Sequence, residues 1–252
     1  MLPIVQIGPA ALPVPALLLL AGFWVGLDLT EKHAPRFQAN AQQIYQMVLV
    51  ALLIGLLAAR LSYALQSPSA FLASPLSLLT PRPQMLDAQG GLLMAALAAL
   101  IYGQRRGLAL WPTLDALTSL FAVMMITFGL ANFASGDGFG APSELPWAIP
   151  LWGAQRHPSQ IYETLAALLV AVATWPGGAI ARRSQPGGMA GLRWWAFVGL
   201  TALSQVFLQG LRGDSVLLAG VRTAQVVAWV LLAISLWQLG RRVTPVTNEH
   251  DA

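Results

Sequence analysis

The chain has 252 residues, 56% of them hydrophobic and only 10% charged, where an ordinary soluble domain carries roughly 25% charged residues. Its formal net charge of +4 is distributed among loops rather than gathered in a basic domain, which argues against a nucleic-acid partner. With no cysteine, the chain has no disulfides, no thiolate metal site, no cysteine nucleophile and no cysteine to be lipidated.

Apolar stretches of about 20 residues, long enough to cross a roughly 30 Å hydrocarbon layer, recur along the chain. They predict an all-α integral membrane protein of about seven transmembrane helices, near residues 11 to 30, 45 to 66, 88 to 104, 109 to 134, 158 to 181, 189 to 211 and 219 to 240. The first is not a simple signal peptide, because residues 1 to 10 contain no Lys or Arg. Nine of the fourteen basic residues (Lys32, Arg36, Arg105, Arg106, Arg182, Arg183, Arg193, Arg241, Arg242) follow odd-numbered spans or lie near the C-terminus. The opposite side holds Arg82, Arg156, Arg212 and Arg222, so the N-terminus is expected outside and the C-terminus in the cytoplasm. The spans read as a single transmembrane domain over residues 1 to 243, with a short polar tail over 244 to 252.

In chain order, the second span carries Arg60 and Tyr63. The segment from Ser67 to Gln84, with four prolines, is too broken to span but apolar enough to lie at the interface. Gln89-Gly90-Gly91 opens the third span, where the glycines suit close helix packing. Asn132, Ser135 and Asp137 close the fourth, and residues 135 to 157, rich in Gly, Pro and Trp, form an outer loop that contains Gly140. Its tryptophans suit the headgroup layer and its glycines a tight backbone near a ligand, although ordinary turns would read the same way.

The run Arg156-His157-Pro158-Ser159-Gln160 opens the fifth span, with Pro158 expected as the first helical residue and His157 as a candidate cap. Such a helix start beside Arg156 is either a phosphate seat or a capped interfacial end. Glu163 lies more than a turn inside and needs a partner, for which Arg60 is a candidate; the pair would be structural or catalytic. On the sixth span Thr201, Gln205, Gln209 and Arg212 form one polar stripe, with Asp214 just beyond; the stripe is either cavity lining or helix-to-helix bonding. The inner halves of the spans offer little besides Asp115, so one outward-opening polar cavity is expected.

Taken in order, these segments resemble the prolipoprotein diacylglyceryl transferases. The most specific match is Gly129-Leu130-Ala131-Asn132-Phe133-Ala134-Ser135-Gly136-Asp137-Gly138-Phe139-Gly140. It is followed by Pro142-Ser143-Glu144-Leu145-Pro146-Trp147 and by Arg156-His157-Pro158-Ser159-Gln160-Ile161-Tyr162-Glu163, with weaker matches at Arg60-Leu61-Ser62-Tyr63, Gln89-Gly90-Gly91 and Arg212 with Asp214. Four positions depart from the pattern: Gly129 and Gln205 stand where the family has arginines, Gln89 where it has a histidine, and Gln209 where a Glu is usual.

The resemblance implies a multi-pass protein of the bacterial inner membrane whose active face is outward or periplasmic. It implies transfer of diacylglycerol from phosphatidylglycerol to the cysteine of a prolipoprotein lipobox peptide, without a cofactor or metal. His157 is then the expected general base, and Asn132 and Asp137 orient a glycerol hydroxyl or a neighbouring arginine. Arg156, Arg212 and the helix start at Ser159 surround the phosphate, and Arg60, Tyr63, Gln89, Gly140, Gln160, Glu163 and Asp214 complete the substrate site. The alternative is a non-catalytic relative that binds lipid or prolipoprotein. A small-solute transporter would instead show repeats and midplane polar groups.

Overall fold

The computed structural model describes residues 4–7, 10–66, 68, 85–215, 217–218 and 221–243. The expected interfacial segment 67 to 84, apart from Pro68, and the tail from 244 lie outside the described residues. Helices dominate: α1 Val14–His33, α2 Ala41–Gln66, α3 Ala88–Arg105, α4 Leu110–Ser135, α5 Ser159–Ala173, the short α6 Ala179–Arg183, α7 Leu192–Leu208 and α8 Thr223–Val243. Three two-stranded antiparallel hairpins join them, β1 Ile4–Ile7 with β2 Ala10–Pro13, β3 Ile149–Leu151 with β4 Ala154–Arg156, and β5 Leu217–Leu218 with β6 Val221–Arg222.

Among the described residues, five helices are long and apolar enough to cross a membrane: Val14–Phe37 (α1 with a 3-10 turn), α2, α4, Leu192–Leu211 (α7 with a 3-10 turn) and Thr223–Arg242 of α8. The chain is thus a largely helical protein with the character of an integral membrane protein. Large apolar side chains stay exposed around the helices, Trp24 at 76% and Leu92 at 73% among them, as lipid-facing residues would. The third and fifth expected spans form helices of 18 and 15 residues, or about 27 and 22 Å. The fifth ends early because Pro176-Gly177-Gly178 follows Ala173, combining a missing N–H with two residues of low helix propensity.

The described chain clusters into two compact units, residues 39–113 and residues 1–38 with 114–252. In the first, α2 and α3 pack through small residues. A Cβ added at Gly91 would lie 2.8 Å from the Ala59 Cβ, and one at Gly55 would lie 2.9 Å from the Ala95 Cβ, so the backbones approach as small-xxx-small helices do. In the second unit α1 meets α4 in the same way, Gly26 against Leu120.

At the start of α4, Asp115 (0% exposed) accepts the N–H groups of Gly191 (2.6 Å) and Trp194 (2.8 Å) and so caps α7 from a neighbouring helix. Arg193 (1% exposed) donates to the backbone carbonyls of Asp115 and Thr174 and to Ser119 Oγ, and lies over the Phe37 ring. Two expectations change here. Arg193 is an interior residue rather than a loop charge, and the half of the fold that was expected to hold little besides Asp115 contains a saturated polar network.

Candidate functional site

The site is built from the C-terminal end of α4 and the segment after it. Ser135 ends the helix, and Gly136 donates to the Asn132 carbonyl at 2.8 Å. Gly138 adopts φ +63°, where an L side chain is strained, and a Cβ there would meet Asn132 Nδ2 at 3.2 Å and Arg212 Nη2 at 3.4 Å. The half-buried Asn132 amide has no hydrogen-bond partner among the described residues. Asp137 is exposed, and its N–H donates to Ser135 Oγ.

Residues 139 to 143 run between two other segments. On one side Ala141 donates to Leu211 and Gly213 donates to Phe139. On the other, His157 donates to Ala141 and Ser143 donates to Gln155. Gly140 occupies the tightest point: a Cβ would lie 2.3 Å from the His157 carbonyl oxygen. The β3–β4 hairpin that carries Arg156 turns at Trp152 (φ +52°) and Gly153 (φ +77°), the two positive angles that suit a tight hairpin. Arg156 donates from Nε to Leu151 O and from Nη1 to Gly140 O, with its guanidinium 4.9 Å from the Phe139 ring centroid.

Helix α5 begins one residue later than expected. Pro158 is the N-cap residue, without a side-chain cap, and His157 does not cap the helix. The first N–H groups are engaged locally, Ser159 with His157 O and both Ile161 and Tyr162 with Pro158 O. Pro158 brings φ near −76° but no donor, which leaves this start less open to an anion than the sequence suggests. Ser159 (1% exposed) and Gln160 (0% exposed) hold the preceding loop, Ser159 Oγ donating to Gly138 O at 2.6 Å and Gln160 Nε2 to Asp137 O at 2.9 Å. The half-buried His157 ring packs edge-on against Tyr162, and its buried Nδ1 has no hydrogen-bond partner among the described residues.

Glu163 finds its partner in Arg212, at 3.0 Å, while Arg60 donates to Met85 O at 3.0 Å in the other unit. Arg212 also forms a bidentate pair with Asp214, at 2.9 and 2.8 Å. Asp214, and then Glu163, raise the Arg212 pKa above its ordinary value, so it stays charged. The polar stripe breaks at this point. Thr201, Gln205 and Gln209 line one groove with residues of α8, but α7 gives way to a 3-10 turn at Gln209, and Arg212 leaves in extended conformation toward α5.

Arg60, Tyr63 and Gln89 lie in the unit of residues 39–113. There Asp87, which was not singled out from sequence, accepts from Ser62 Oγ and from the N–H groups of Gln89 and Gly90, and so caps α3. Asp immediately before an apolar helix is the local signal that could have found it.

The geometry therefore joins Asn132, Gly138, Gly140, His157, Glu163, Arg212 and Asp214 through direct contacts. A family model for prolipoprotein diacylglyceryl transferase matches residues 3–240. Among similar proteins named phosphatidylglycerol–prolipoprotein diacylglyceryl transferase, the one from Gloeobacter violaceus is 29% identical, covering 95% of this chain and 93% of the relative. That of Synechococcus elongatus is 25% identical over 92% of this chain and 84% of its own length, and that of an Azoarcus species is 30% identical over 68% of each. The chain belongs to the prolipoprotein diacylglyceryl transferase family.

Proposed function

We propose that this chain transfers the diacylglyceryl group of phosphatidylglycerol to the cysteine thiol of a prolipoprotein lipobox peptide. The observation that carries the reading is the Asn132 amide, without a hydrogen-bond partner among the described residues and held beside Gly138 and the Arg212 pair on the segment that most resembles the family. The thiol, with an ordinary pKa near 8.5, gives its proton to His157. The thiolate forms a bond to the glyceryl carbon as the bond from that carbon to phosphate oxygen breaks, and glycerol phosphate leaves. Asn132 and Asp137 orient the glycerol hydroxyls. Arg156 and Arg212 contribute positive potential to the departing phosphate, with Glu163 and Asp214 fixing the Arg212 fork. Ser159, Gln160 and Gly140 keep the loop in shape.

The same reading places the protein in the bacterial inner membrane as one membrane domain over residues 1 to 243. It has seven spans, the N-terminus and the site outside, and the C-terminus in the cytoplasm. Setting aside the buried Arg193 leaves eight loop cations on the expected cytoplasmic side against four on the other, which still supports that orientation.

A second reading, a relative that binds lipid or prolipoprotein without turnover, is favoured by one observation. A Cβ at Gly129 would lie 2.4 Å from Thr164 Oγ1 and 3.2 Å from the Thr164 backbone N, so the family's arginine does not fit there without movement of α5. One assay separates the two readings. The purified chain is incubated with phosphatidylglycerol and a lipobox peptide, and mass spectrometry follows the peptide cysteine. A diacylglyceryl thioether supports the transferase. No product, under conditions where a complete family member turns over, sinks that reading. Product gained only after Gln89→His, Gly129→Arg and Gln205→Arg would establish the binding reading.

A further inference from the structure

Between α7 and α8 lies a groove of about 530 Å³. Its walls grade from apolar to polar in one direction on both helices, Phe197 to Gln205 and Gln209 on α7 and Leu231 through Val227 to Thr223 on α8. From Phe197 to Gln209 the groove runs about 18 Å along the helix axis. Its polar end is uncharged: Gln209 Nε2 donates to Gln205 Oε1 at 2.9 Å. Beside that end stands Arg222, half-buried, whose Nη1 donates to the Gln209 backbone carbonyl.

Arg222 differs from the two arginines already placed at the site. Arg212 is held between two carboxylates, and Arg156 donates to two carbonyls above Phe139. Among the described residues Arg222 has no carboxylate partner, and residues 215 to 223 include no Asp or Glu that could provide one. A half-buried guanidinium beside apolar surface favours an anion that brings its own apolar body. We infer that Arg222 binds the phosphodiester of an anionic phospholipid, one of whose acyl chains lies in the α7–α8 groove. This rests on the lipid substrate of the reading above and adds the residue that selects its headgroup.

The test uses the full chain in detergent and compares three probes, phosphatidylglycerol, phosphatidylethanolamine and palmitate, by affinity and by thermal protection. Phosphatidylglycerol should bind best. Arg222→Gln should weaken it about tenfold, the size of one charge-assisted contact, and erase its advantage over phosphatidylethanolamine. Arg222→Lys should retain most of the advantage. If Arg222→Gln does not fold, Arg222→Met answers the same question by keeping the apolar stem without the charge, and it should abolish the preference. An undiminished preference in either variant, or palmitate binding as well as phosphatidylglycerol, overturns the inference. Thioether formation on the same samples keeps the two proposals apart. A native chain that is inert but shows Arg222-dependent selectivity fails only as a transferase. Turnover with an unchanged KM for phosphatidylglycerol in Arg222→Gln fails only the role of Arg222.

Discussion

Two charged clusters stand near opposite ends of α4, about 25 Å apart along its axis, and they use arginine differently. Near the helix start, Arg193 and Asp115 are fully buried, and their bonds go to backbone groups and a serine of the same unit. Near its C-terminal end, Arg212 is held by Glu163 and Asp214 but remains half-buried, next to an Asn132 amide with no hydrogen-bond partner among the described residues. The first arrangement leaves nothing for a ligand to satisfy, so its role is to fasten α7 to α4. The second holds a fork of donors in place beside unused hydrogen-bonding capacity, which is what a preorganised polar site requires.

Removing a member of each cluster should therefore have different consequences. The largest stability effect is expected for Arg193→Ala, which strands the buried Asp115 and Thr174 carbonyls and the Ser119 hydroxyl; each buried group left without its partner costs about 1–3 kcal/mol. Most of the protein should be lost to aggregation on extraction, and the surviving fraction should melt far below the native chain. Gly138→Ala comes next, at about 1–2 kcal/mol for an L residue at positive φ, with transfer reduced because the new methyl group presses on Asn132 and Arg212. A normal melting temperature and normal transfer in that variant would show the loop to be looser than its contacts imply.

Glu163→Gln should destabilise by only about 1 kcal/mol, since Asp214 still holds Arg212. Transfer should nevertheless fall by about 100-fold, as the donor fork loses its second anchor. Equal losses of stability and transfer would make this pair structural, like its counterpart at the other end of α4.

The smallest effect concerns Asp87, whose carboxyl is held below its ordinary pKa chiefly by the Ser62 hydroxyl, with the Gln89 and Gly90 amides adding to it. A depressed folded value means that the carboxylate's contribution is present above the unfolded pKa and disappears as pH falls through the folded one. Asn still caps a helix, so Asp87→Asn should differ from the native chain near neutral pH in a melting series and converge with it in acid.

Much of this was legible in the sequence because hydrocarbon length and a period of 3.6 residues leave strong marks. Each of the seven expected spans contains a helix, but among the described residues only five are long and apolar enough to cross a membrane, and single residues shift some of the ends. Pro158 became a cap instead of the first helical position, and Pro176 cut the fifth helix short. The segment from Asn132 to Glu163 was readable as one cluster because its residues are close in sequence and its glycines mark a tight backbone. Pairings across the fold were not readable. The partner of Glu163 lies 49 positions away, and Asp115 caps a helix 76 positions away, and no local pattern encodes such distances. Arg193 was misread for the same reason, since a basic residue near a span end looks like a loop charge until the carbonyls that surround it are seen.

The central claim is that the C-terminal end of α4 is where chemistry occurs, and Asn132→Ala tests it most directly. The variant removes an amide that makes no hydrogen bond among the described residues, so its melting temperature should match that of the native chain. Its yield of diacylglyceryl thioether on the lipobox peptide should fall by about 100-fold. A native yield from a normally folded Asn132→Ala protein would contradict the account, as would a loss of product that merely follows a loss of folded protein.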